Sequence, residues 1–255
     1  MFAVPADIPP LSSCLVAEAV GQLAAWVAMA HVSFRGRPVA ALAGETLLGG
    51  DVAPGRMLEL AVEIDDCDDD AVAYAGSARV EGKQVIALNH CLGPMLPLAE
   101  FDSPDALRER FTLLCGPGAP PGRFRGVPAP RIVEGKGVPG KSATATLHVP
   151  ASAPFFADHF PRRPVFPATL LLDAQIRLAL RLAVEAKDGS AGTKPVPARM
   201  THVKMRSFIA PGDVLELGAE MAPSASGVER ILLSAQSSGK SIATARLEIA
   251  TAEPT

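Results

Sequence analysis

The octapeptide APGRMLEL, Ala53 to Leu60, returns as APGDVLEL at Ala210 to Leu217, 157 residues later. EGKQVIA, around Gly82 and Lys83, is answered at the same offset by SGKSIAT, around Gly239 and Lys240. Upstream, EAVGQLA from Glu18 matches DAQIRLA from Asp173 at an offset of 155, acid for acid, a slip of the size that loop variation produces. The chain is therefore written twice, and whatever it folds into must be built from two like units.

Each copy reads as a long apolar helix carrying one acid, followed by strands. The segments RMLELAVEI, AVAYAGSARV, QVIALNHCL, VLELGAEM, RILLSAQSS and SIATARLEIA carry the strand pattern, with Pro-Gly, Glu-Gly and Ser-Gly pairs as turns. One helix against an antiparallel sheet is the expected unit. The first unit is assigned to residues 1–114, a Gly/Pro-rich linker to 115–130 and the second unit to 131–255. Ahead of the linker, SPDALRERFTLL begins Ser-Pro-Asp and predicts a short connecting helix. The second copy opens with a predicted hairpin, RIVEGKGVPGKSATATLHV, turning at Pro139-Gly140, for which the first copy has no room. Its loss leaves two readings, a misassigned start at Met1 or decay of the first copy.

Composition narrows the function classes. The 255 residues are 48% hydrophobic and 20% charged, enough apolar material for packed domains. A net charge of −3 gives no global reason to expect nucleic acid or an acidic membrane surface as partner. Cys14, Cys67, Cys91 and Cys115 lack ligand spacing, so no metal is expected and reduced thiols of a cytoplasmic protein are the simpler reading. The apolar run Leu15 to Ala30 has no Lys or Arg before Arg35 and carries Glu18 and Gln22, which predicts a buried helix rather than an anchor. The aspartate run Asp65 to Asp70 lacks calcium-loop spacing and reads as a solvated hairpin turn.

The most informative stretch is FFADHFPRRPVFPATLLLDAQ, Phe155 to Gln175. It resembles the active-site segment of the beta-hydroxyacyl-[acyl-carrier-protein] dehydratases, in which a His-Phe-Pro turn leads through Arg-Pro-Val-x-Pro into the central helix of a hotdog fold. The resemblance extends over nearly all of the second copy, including SFIAPGDVLEL, and over the first copy from its helix onward. It implies an α+β double hotdog, two fused units forming a pseudo-dimer, each long central helix wrapped by antiparallel sheet. It also implies that each site combines the histidine of one unit with the helix acid of the other. His159 matches the histidine, and Glu18 and Asp173 match the acids. Fourteen residues before Glu18 stands Val4, where the first copy would need its histidine. One working site is expected, His159 facing Glu18, with Asp173 a vestige or second acid. The small residue opening each helix, usually glycine in the family, is here Ala168 and Ser13.

The chemistry the resemblance implies is dehydration of a 3-hydroxyacyl thioester to a trans-2-enoyl product, in fatty-acid or polyketide-type synthesis, without cofactor. A histidine, which ordinarily titrates near about 6.5, can remove the C2 proton, and Glu18 can protonate the leaving hydroxyl. Helix N-termini at Ser13 and Ala168 are the candidate donors to the enolate oxygen. Pro161, Pro164 and Pro167 stiffen the histidine turn. Phe156, Phe160 and Phe166 are the candidate acyl-tunnel residues, and Gln22, one turn from Glu18, can orient it. Arg162, Arg163, Lys204 and Arg206, with Arg123 and Arg125, are candidate contacts for an acyl carrier protein, the expected partner. Further self-association of pseudo-dimers is a second expected contact. His31, His90, His148 and His202 are read as structural or surface residues, and Trp26 and Met29 as core. Two competing functions remain: a catalytically silent subunit that binds acyl chains or the carrier, and a hotdog thioesterase.

Overall fold

The computed structural model describes residues 10–118, 130–186, 194–223 and 229–252. The first copy contributes a helix, α1 (Ser13–His31), and five strands: β1 (Gly36–Pro38), β2 (Leu42–Leu48), β3 (Glu59–Cys67), β4 (Ala71–Val80) and β5 (Lys83–Pro97). The connecting helix α2 (Pro104–Cys115) begins where Ser103 Oγ accepts the Ala106 N–H at 3.5 Å. The second copy contributes β6 (Arg131–Glu134), β7 (Ser142–His148), α3 (Ala168–Ala186), β8 (Lys194–Met205), β9 (Val214–Ala222), β10 (Glu229–Ser237) and β11 (Lys240–Ala252). Most of the proposed linker, residues 119–129, and with it Arg123 and Arg125, lies outside the described residues, as does Val4.

The repeat is visible in the backbone. Glu81-Gly82 and Ser238-Gly239 both take positive φ (51° and 76°; 49° and 73°) and close two-residue hairpins, β4 to β5 and β10 to β11. In the Pro-Gly turns, Gly55 and Gly212 have φ 82° and 85°, and the turns close from Arg56 N–H to Ala53 O and from Asp213 N–H to Ala210 O. The hairpin of β6 and β7 turns at Pro139-Gly140, with Gly140 at φ 65°. Of the aspartate run, Asp65 and Asp66 belong to β3 and Asp68 to Asp70 make the β3–β4 turn, where the Asp68 carboxylate accepts the N–H groups of Asp70 and Ala71.

Among the described residues eleven strands join one antiparallel sheet in the order β3-β4-β5-β2-β8-β11-β10-β9-β7-β6, with β1 alongside β5. The seam between the copies is the β2–β8 pair, from Leu42↔Lys204 to Leu47↔Arg199. Those end pairs exchange under the 157-residue offset, so the register is itself two-fold symmetric. Across the seam Arg199 bonds Glu45 at 2.6 Å and reaches Glu248, which also pairs with Arg230, linking four strands. Neither seam strand is prominent in the sequence. β2 contains Gly44, and β8 contains Pro195 and Pro197, tolerated because β2 pairs only with Arg199–Lys204 and leaves that stretch with β11 alone.

The sheet wraps both helices. α1 packs on β3, β4 and β5, α3 on β7, β8 and β9, and the helices touch each other. One core cluster runs through both copies, from Val16, Val20 and Ile86 to Leu171, Leu182 and Leu247. α1 is long and apolar enough to cross a membrane by length and composition, but here one face of it lies in this core. The result is the expected α+β double hotdog, and all four cysteines are free thiols.

Candidate active site

His159 sits in a turn fixed at every side. Its N–H donates to Phe155 O, its carbonyl accepts Val165 N–H at 2.9 Å, and the neighbouring Arg162 N–H donates to Phe101 O in the first copy. Nδ1 lies 2.8 Å from Val165 O. A carbonyl only accepts, so Nδ1 carries the proton and the neutral ring's lone pair is on Nε2. That nitrogen faces Glu18 Oε1 at 3.8 Å, with both side chains about four-fifths buried (19% and 22% exposed). The gap is too long for a direct hydrogen bond. Both residues line one cavity, so a molecule lying in it can touch both side chains.

Glu18 is held by two neutral donors. Gln22 Nε2 donates to Oε1 at 3.0 Å, and Thr169 Oγ1, from the first turn of α3, donates to Oε2 at 2.8 Å. Gln22 follows from helical spacing. Thr169 was missed, because its partner belongs to the other copy.

The 155-residue offset carries this arrangement onto the other half. Thr169, Glu18 and Gln22 become Cys14, Asp173 and Arg177. The Arg177 guanidinium bonds Asp173 Oδ2 at 2.8 Å, and the Cys14 thiol is pushed up by burial first and by Asp173 second. The carboxylate of one half therefore has a charged partner, and that of the other two neutral donors. Asp173 does not line the cavity that holds His159.

The two helix N-termini are equally unlike. The amides of Ala168 and Thr169 have no acceptor among the described residues, and both residues line the cavity. Ser13 N–H instead donates to Asp51 Oδ1 at 3.1 Å, and Ser13 is outside the cavity lining, so its assignment as an oxyanion donor is corrected.

The cavity has a volume of about 200 Å³. Its deep end is bounded by buried Cys14, Leu48, Leu88, Cys91 and Met200, and its outer end by exposed Ala40, Leu42, Leu92 and Ser207. Phe160 and Phe166 line it. Phe156 does not: its ring packs on Phe155 at 4.6 Å and belongs to the core, which corrects its assignment to the tunnel. Tyr74 and Cys91 add a hydroxyl and a thiol to the wall, and burial raises both groups, Cys91 to about 11.

The four candidate carrier contacts fall on two faces. Arg162 donates to Ala99 O at 2.9 Å and Arg163 pairs with Glu100 at 3.2 Å, both on the loop that carries His159. Val203 and Met205 of β8 line the cavity, so strand alternation turns Lys204 to the opposite face of the sheet. Arg206, bonded to Thr244, lies there too, beside His202 and Arg246. Of the four, only Arg162 and Arg163 therefore stand on the side of the sheet that carries His159. The alternation Val-Lys-Met was the signal for Lys204.

Residues 136–244 match the family model described as ApeI dehydratase. The chain is 35% identical over 112 residues to the 3-hydroxyacyl-[acyl-carrier-protein] dehydratase FabZ of Ruminiclostridium cellulolyticum, covering 44% of this chain and 78% of that enzyme. It is 36% identical to the enzyme of the same name from Pediococcus pentosaceus, over 32% of this chain and 55% of the relative. Whole-chain structural likeness is of another kind. The tesB protein of Mycobacterium avium subsp. paratuberculosis superposes with a TM-score of 0.61 at 13% identity, covering 99% of this chain and 91% of that one. An acyl-ACP thioesterase from Bacteroides thetaiotaomicron gives 0.55 at 10% identity, covering 98% and 96%. These two likenesses speak for the fold alone. Glu18 lies outside the family-model match, so its place opposite His159 rests on the structure.

Proposed function

The chain belongs to the 3-hydroxyacyl-[acyl-carrier-protein] dehydratase family, and on that premise we propose that it dehydrates 3-hydroxyacyl thioesters carried on acyl carrier protein to trans-2-enoyl products, at one site per chain. The observation that carries the reading is the placement of His159 Nε2 and Glu18 Oε1 across a 3.8 Å gap beside the free amides of α3.

In this mechanism the substrate lies in the cavity against both side chains, C2 toward His159 and the C3 hydroxyl toward Glu18. His159 Nε2 takes the C2 proton, and the electron pair moves toward the thioester oxygen, where the Ala168 and Thr169 amides and the α3 dipole stabilise it. The pair returns to form the C2–C3 double bond as the C3 hydroxyl leaves with a proton from Glu18, as water. The elimination is redox-neutral and calls on no cofactor. The Nδ1 bond to Val165 O holds the ring in the tautomer the step needs.

The acyl chain runs to the deep end of the cavity and the carrier's arm enters from the outer end. Arg162 and Arg163 are the proposed carrier contacts; Lys204 and Arg206 stand on the wrong face for that task. A cytoplasmic setting belongs to the same proposal.

The test is mass spectrometry of a 3-hydroxyacyl carrier protein incubated with the purified chain. Loss of water in the wild type and none in H159A is the expected result. Release of free carrier thiol identifies a thioesterase, and an intact, bound thioester identifies a silent binding subunit. Either outcome overturns the proposal.

A further inference from the structure

Lys204 and Arg206, on the sheet face away from His159, gather there around one hydroxyl. Thr244 of β11 lies opposite Lys204 of β8 on one side and opposite Ser234 of β10 on the other. Arg206 Nη1 donates to Thr244 Oγ1 at 3.1 Å, so that oxygen keeps its own proton to give. Arg246 follows two residues along β11 on the same exposed face, with buried Ala245 between them. These side chains line an open cleft of about 520 Å³. On the next strand Gly218 lies opposite Ser234, whose hydroxyl leans over it: a Cβ added at Gly218 would stand 2.6 Å from Ser234 Oγ.

Lys204, Arg206 and Arg246 have no carboxylate within ion-pair distance among the described residues. Glu220, the acid in the lining, is separated from Arg246 by Leu232, which puts it two strand spacings away, about 10 Å. Like charges gathered on one sheet face repel each other. The fold does not ask for them. Under the 157-residue offset Lys204, Arg206, Thr244 and Arg246 become Leu47, Gly49, Ala87 and Asn89. Ala87 lies opposite Leu47 and Ser77 just as Thr244 lies opposite Lys204 and Ser234, so the first copy keeps the same strand geometry with no cation in it. The cluster belongs to the second copy alone, in a chain whose net charge is −3.

We propose that this cleft is a second ligand site, separate from the His159 cavity, and that it takes a phosphate monoester. The phosphoryl oxygens accept from Lys204, Arg206, Arg246 and the Thr244 hydroxyl, and the rest of the ester lies toward Ser234 and Gly218. Such a group carries close to two negative charges and three free oxygens, enough to answer two guanidiniums, an ammonium and a hydroxyl together. A single carboxylate, with one charge and two oxygens, leaves donors unanswered. The assignment does not depend on the chemistry proposed at His159.

The experiment is isothermal titration calorimetry at low ionic strength with three probes: glycerol 3-phosphate, succinate as a dicarboxylate of matching charge, and polyglutamate as an acidic polypeptide. Wild type is compared with K204Q and R246Q, and with R163Q on the other face of the sheet. Glycerol 3-phosphate is expected to bind wild type, and K204Q and R246Q are each expected to weaken it by about tenfold, the worth of one charge-assisted hydrogen bond. R163Q should leave it unchanged, and succinate should bind wild type at least about tenfold more weakly than the phosphate ester. Circular dichroism is the folding control, and if one variant does not fold the other decides. No heat with glycerol 3-phosphate, or an affinity that survives both folded variants, overturns the site. Equal affinity for succinate reduces it to general attraction of anions and overturns the phosphate assignment. Binding of polyglutamate without binding of glycerol 3-phosphate makes the cleft a docking surface for an acidic chain, which overturns it as well.

Discussion

Nε2 of His159 lies 3.8 Å from Oε1 of Glu18, although the two residues stand in different copies of the repeat. The pairing makes the two helix acids unequal. E18Q is expected to lower kcat by about 10²- to 10⁴-fold, the usual worth of a general acid or base, and D173N by about twofold or less. Water loss from a 3-hydroxyacyl carrier protein measures both. Equal damage from the two substitutions would place a working site at each acid.

H159A removes the proposed base from a ring that is 19% exposed and bonded to the backbone only through Nδ1. Turnover should fall by about 10²-fold or more while the thermal midpoint stays close to that of the wild type. A rate that survives the substitution in a folded protein would remove His159 from the mechanism.

The two half-sites differ by a neutral amide on Glu18 and a guanidinium on Asp173. Writing the Asp173 pattern into the Glu18 half, Q22R, is expected to cost about tenfold or more in kcat by drawing Oε1 into an ion pair and away from the substrate. Q22L, which only removes the orienting bond, should cost less. The reverse ranking in a side-by-side assay would mean that Gln22 matters for orientation alone.

Leu182 on α3 is fully buried and outside the active-site cavity. L182A is expected to destabilise the protein by about 2–5 kcal/mol, read from urea denaturation, with kcat little changed below the transition. A loss under about 1 kcal/mol would show that the core around α3 closes over the gap.

Burial lifts Cys91 from an ordinary 9.0 to about 11, and lifts the Tyr74 hydroxyl beside it. A thiol whose pKa is higher in the folded state than in the unfolded one holds its proton longer when folded. Its contribution is whole below pH 9 and is lost as pH rises toward 11. The thermal midpoint should therefore decline above about pH 9, and C91A should flatten that decline. A midpoint that is constant from pH 8 to 11 would contradict the assignment.

Much of this fold is legible in the sequence because the signals are short-ranged. Glu81-Gly82 and Ser238-Gly239 dictate tight hairpins through the φ values that glycine permits, and the Pro-Gly pairs at 54 and 211 do the same for their turns. A repeat of such signals at one offset determines two like units, and the His159 motif with the spacing of Glu18 and Gln22 names a candidate base, a candidate acid and its orienting neighbour. The lysine between Val203 and Met205 also announced its own face by strand alternation, a period of two that needs no partner to be read.

What the chain alone left undecided depends on which distant groups burial brings together. The β2–β8 seam, between strands weakened by Gly44, Pro195 and Pro197, exists because two half-covered helices are buried only when the sheets join, and that joining sets His159 opposite Glu18. The same packing supplies Thr169 to Glu18, takes the Ser13 amide for Asp51 and turns Phe156 into the core. Local dihedral preferences carry no information about partners across a two-fold seam. Those are selected by the burial of apolar surface and the satisfaction of polar groups over the whole molecule.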